Sequence, residues 1–99
     1  DVERADRVVK EPIVERISHP RDERLRNIEL WALKEAVFKC VANSELLPEA
    51  PLFSELKITA SHWEHTPSGL KGECQVERHE ELVLGKAFLS PHEAERFLR

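Results

Sequence analysis

Ninety-nine residues, 40% hydrophobic and 34% charged, make one globular domain over residues 1–99. A net charge of −4, with Lys and Arg scattered among acids, argues against a nucleic-acid platform, and the longest apolar runs are too short to span a bilayer. No basic-then-apolar signal segment opens the chain, and two cysteines without C-x-x-C spacing read as buried thiols, so a cytoplasmic protein is expected.

The opening "DVERADRVV" sets Val2, Val8 and Val9 among charges, which predicts a strand end running into a loop. Asp1 and Glu3, two apart on an extended segment, point the same way. "EPIVERIS" predicts a short helix with Pro12 in its first turn, and "HPRDER" breaks it at Pro20. From Asp22 to about Ala42, Leu25, Ile28, Ala32, Leu33, Ala36, Val37 and Cys40 recur at three- and four-residue steps, predicting a long amphipathic helix. Trp31, Glu35, Phe38, Lys39 and Ala42 share an adjoining face of it, and Asn43, Pro48 and Pro51 punctuate its end.

Three strands are expected next. "SELKITASHWE" alternates Leu56, Ile58, Ala60 and His62 against Lys57, Thr59, Ser61 and Trp63. "TPSG" has turn chemistry, with Gly69 free to take a positive φ. "LKGECQVE" alternates again, "ERHE" turns, and "ELVLGKAFL" is apolar on both faces, as a central strand would be. "SPHEAERFLR" opens with Ser90, Pro91 and Glu93, the signature of a capped helix start. The fold class expected is α+β, a long helix packed on an antiparallel β-meander.

Lys34, Glu35 and Lys39 form a K-E-x-x-x-K on the long helix. One reading is a surface ion pair worth about 0.3–0.5 kcal/mol. The other starts from the bulk of Trp31 and Phe38 around the pair and from the two carboxylates of "DVE". Two strand carboxylates and one from a helix make an oxygen site suited to Mg²⁺, and adjacent lysines would neutralise phosphates. The histidines offer no competing metal site: His62 and His65 are three apart on a predicted strand, hence on opposite faces, and no ligand pair has finger-like spacing. Ser61 and Ser68 have no G-x-S-x-G context, and three glycines form no phosphate loop.

"DVE" followed by "WALKEAVFK" resembles the 4′-phosphopantetheinyl transferase superfamily, whose signatures are a D-x-E strand end and a W-x-x-K-E-x-x-x-K helix. The tryptophan resembles the surfactin-synthetase-activating branch, and "FSELKIT" and "HEELVLGKAFL" resemble the family's later strands. The resemblance implies transfer of phosphopantetheine from coenzyme A to a serine of an acyl or peptidyl carrier protein. By it, Asp1, Glu3 and Glu35 hold Mg²⁺, Glu35 or a water it orients takes the serine proton, and Lys34 and Lys39 bind phosphate oxygens. Larger members have two similar halves, so this chain resembles a C-terminal half, completed by an upstream half or by a second copy. The alternative is a non-catalytic binding or structural module that retains this fold.

Overall fold

The computed structural model describes residues 2–98. Its strands form one antiparallel sheet: β1 (Val2–Arg4), β2 (Leu56–Ile58), β3 (His62–His65), β4 (Leu70–His79) and β5 (Leu82–Phe88), in the order β1-β5-β4-β3-β2. Three α-helices accompany it, α1 (Glu11–Ile17), α2 (Asn27–Ser44) and α3 (Pro91–Leu98), with a 3₁₀ turn at Phe53–Glu55 before β2. The class is therefore α+β, with the long helix on one face of the sheet.

The core forms where the apolar stripe of α2 meets the inward row of the strands. Leu33, Val37 and Val41 pack with Leu56, Ile58, Trp63, Leu70 and Cys74, and a second cluster joins Val9, Ile28, Ala32 and Val83. Full burial of each such aliphatic side chain is worth about 1.5–3 kcal/mol. The helix rides close to the sheet at Gly85, where a Cβ would lie 2.6 Å from the Ala32 carbonyl oxygen. That close approach brings the Trp31 and Glu35 face of α2 alongside β1.

Several boundaries differ from the sequence expectation, each for a tertiary reason. Helix α2 begins at Asn27 rather than Asp22. The stretch before it is claimed by β2 instead: Ile58 N–H donates to Asp22 Oδ1 at 2.7 Å, and Glu23 N–H donates to Ile58 O at 2.8 Å. Pro20 lies in a turn, closed by Asp22 N–H on His19 O (3.0 Å) and His19 N–H on Asp22 Oδ2 (2.8 Å). "SELKITASHWE" is not one strand but the hairpin β2–β3. Thr59 N–H donates to His62 O at 2.8 Å, and Thr59 Oγ1 accepts from His62 N–H at 2.9 Å. The turn shifts the side-chain alternation, so Trp63, opposite Ile58, joins the core with it.

Strand β4 runs on to His79, so the turn expected at "ERHE" moves to Glu80–Glu81, where Glu80 takes a φ of 55°. The central strand is β4; β5 is one place in from the edge, beside the three-residue β1. Gly69 takes the expected positive φ, 80°. Helix α3 is capped by Ser90, whose Oγ accepts from Glu93 N–H at 3.1 Å. The Glu93 side chain turns away from the cap, accepting from Arg96 (2.7 Å) and from Lys71 N–H (3.3 Å).

Candidate functional site

The β1–β5 register sets Glu3 opposite Val83, whose side chain packs with Ala32 of α2. Glu3 is thereby carried onto the Trp31–Glu35 face of the helix, 28 residues ahead of it in sequence. Trp31 Nε1 donates to Glu3 Oε1 at 3.1 Å, and Arg7 donates to Glu3 Oε2 at 2.7 Å. The Arg7 guanidinium also lies 5.3 Å from the centre of the Trp31 ring, a cation–π distance. On its other side Trp31 tilts against Phe53, with centroids 6.0 Å apart, and Phe53 meets Phe38 at 5.0 Å. Trp31 is thus both packing and a hydrogen-bond donor.

Glu35, one helical turn after Trp31, lies close enough to Glu3 for the two carboxyls to act on each other. Burial and the neighbouring Glu3 carboxylate push the Glu35 carboxyl above its ordinary range, outweighing the charges of Lys39 and Arg7. Burial would raise Glu3 as well. Hydrogen bonds from Arg7, Glu35 and Trp31 and the Arg7 charge outweigh that and hold it below its ordinary range. The two carboxyls are therefore shifted in opposite directions, Glu35 up and Glu3 down. Glu35 Oε1 is buried and has no hydrogen-bond partner.

Of the residues singled out from sequence, Glu3, Glu35 and Trp31 come together, with Lys39 close enough for its charge to act on Glu35. Lys39 is exposed on α2 and lines a groove with Asn43, Lys86 and Phe88. Asp1 lies outside the described residues. Among the described residues, no group of three His, Cys, Asp or Glu side chains is placed to hold a metal ion.

Lys34 goes elsewhere. Its ammonium is fully buried, 3.0 Å from Asp22 Oδ2, and it donates to Phe53 O at 3.0 Å and to Leu56 O. Three acceptors take up its three hydrogens, so it presents none to a phosphate. It pins the 3₁₀ turn and β2 to the connection before α2. Burial holds its pKa below the ordinary lysine value, opposed by the Asp22 charge.

Two partners were not legible in the chain, Asp22 and Arg7. Asp22 carries no mark to separate it from an acid in a helix's first turn. Arg7 is four residues from Glu3 in a non-helical stretch, where that spacing has no geometric meaning. No protein-family model, curated protein or solved structure matches the chain. Among the described residues, no helix is long and apolar enough to cross a membrane.

Proposed function

We propose that the Glu3–Glu35 pair is the centre of a phosphopantetheinyl transfer site, at which a carrier-protein serine attacks the pyrophosphate of coenzyme A. The observation that carries this reading is the pair itself: two carboxyls in contact, one oxygen of which is buried without a partner. Two carboxyls this close favour a shared proton or a cation between them. The residues therefore fit the Mg²⁺ that the resemblance implies, with Glu3, Glu35 and, by resemblance, Asp1 as ligands. Bound there, Mg²⁺ would supply charge neutralisation for the pyrophosphate.

The chain's own residues have distinct work in this reading. Trp31 orients Glu3 through its indole N–H, and Glu35 or a water it orients takes the serine proton. Lys39 neutralises phosphate oxygens as a point charge. The new bond joins serine oxygen to the phosphorus that bears pantetheine, and the bond to 3′,5′-ADP breaks. Val2, Leu82 and Phe88, each about half exposed, give an upstream half or a second copy an apolar surface to cover.

A second reading, a non-catalytic module, draws on Arg7 and Trp31, which already satisfy both oxygens of Glu3. One experiment separates them. The protein is incubated with Mg²⁺, coenzyme A and an apo carrier, and the carrier's intact mass is measured. Transfer is expected when the chain is joined by its completing half, and not when that protein carries Glu35→Gln. An unchanged carrier mass with that completed protein overturns the transferase reading in favour of the module.

A further inference from the structure

Resting on the transfer reading of the Glu3–Glu35 site, we infer that Arg7 is its second anion-binding side chain, parked on Glu3 and Trp31 until a divalent cation takes Glu3. A pyrophosphate brings more negative charge than one lysine neutralises. The helix motif supplied two cations, but Lys34 is spent inside the core on Asp22 and two carbonyls. Arg7 stands where the missing charge is needed, 2.7 Å from Glu3 Oε2 and within range of Glu35.

Its present lodging is weak. The Arg7 side chain is 47% exposed, and one of its N–H groups goes to Glu3. An exposed ion pair and a cation–π contact together favour such a position by roughly five- to thirtyfold. A doubly charged ion on Glu3 and Glu35 would repel the guanidinium and take its acceptor. The backbone need not follow, because it is tied on both sides. Ala5 N–H donates to Glu81 O at 2.6 Å, Arg7 N–H donates to Arg4 O at 3.1 Å, and Val9 is buried. Only the side chain swings, and its planar fork suits two phosphate oxygens at once.

The test uses Arg7→Gln and Arg7→Lys, with Trp31 fluorescence reporting binding of Mg²⁺ alone and calorimetry reporting coenzyme A in saturating Mg²⁺. A Trp31→Phe control reports the signal of Trp63, the other of the two tryptophans, which is then subtracted. Arg7→Gln is expected to bind Mg²⁺ roughly five- to thirtyfold tighter, because the competing cation is gone. It is expected to bind coenzyme A roughly tenfold more weakly, with Arg7→Lys between it and the native chain. Unchanged or weaker Mg²⁺ affinity in Arg7→Gln, with the native chain binding Mg²⁺, overturns the parked cation and leaves Arg7 as a brace for Glu3. Unchanged coenzyme A affinity overturns its anion role. If neither protein binds Mg²⁺, the transfer reading itself falls and Arg7 falls with it.

Discussion

Replacing Lys34 by methionine separates a core strut from a phosphate ligand. Methionine keeps the apolar stem and removes the ammonium. Asp22, with its side chain 7% exposed, retains the N–H groups of His19 and Ile58 but loses its cation. The carbonyls of Phe53 and Leu56 lose a donor in the same step. Removing one partner of a buried ion pair costs about 3–5 kcal/mol. Against the roughly 5–15 kcal/mol that holds a domain of this size, the loss is large, and the melting temperature should fall by roughly 12–40 °C. Urea unfolding followed by tryptophan fluorescence measures it. Adding Asp22→Asn should recover part of the loss, roughly 1–3 kcal/mol, because the orphaned charge goes too.

The same variant has a signature in pH. Burial holds the folded-state Lys34 pKa below 10.5, so below that value the unfolded chain binds more protons than the folded one. Stability from this group therefore rises as pH climbs toward 10.5, and the rise should vanish in Lys34→Met. A loss under about 1 kcal/mol would refute the reasoning. So would unchanged stability with weakened coenzyme A binding, which would put the ammonium on the ligand instead.

Three further outcomes follow from the geometry. Because Glu35 is raised, its contribution to stability is full below the ordinary glutamate pKa of 4.5 and is lost as pH rises through the folded-state value. Glu35→Gln should thus gain on the native chain as pH climbs above 4.5 in thermal melts, while abolishing transfer; parallel curves would contradict the upward shift of Glu35. Gly72→Ala should cost about 1–3 kcal/mol in urea titrations, since its Cβ would overlap the Phe88 carbonyl and lie 2.7 Å from Trp63 Nε1, which donates to that carbonyl. A neutral effect would mean the strands can part there. Burial, with some help from Glu23, pushes the Cys74 thiol up to about 12, so alkylation at pH 8 should reach it only on unfolding. Native-state labelling of Cys74 seen by mass spectrometry would count against that burial.

The sequence by itself determined whatever rests on local chemistry and periodicity. The apolar spacing of Leu33, Val37 and their neighbours sufficed for α2, because a helix satisfies its own backbone. Gly69 and Ser90 marked a turn and a cap through bonds spanning a few residues. The carboxylates and Trp31 stood out by residue type alone. What only the tertiary structure decided are the places where a distant partner outbids a local preference. Residues 22–26 have helical composition, yet Asp22 and Glu23 bond to Ile58, 36 and 35 positions away, and the helix starts later. "SELKITASHWE" alternates acceptably as one strand. It folds into a hairpin because Thr59 and His62 close a turn that puts Ile58 and Trp63 on the same buried face. Within K-E-x-x-x-K the spacing makes Lys34 and Glu35 neighbours. The helix's rotation against the sheet sends one to Asp22 in the core and the other toward Glu3 on β1. About 100° separates consecutive residues around a helix. Which of the two meets water depends on the surface packed against it, and that surface comes from β1, β2 and β5, elements distant in the chain.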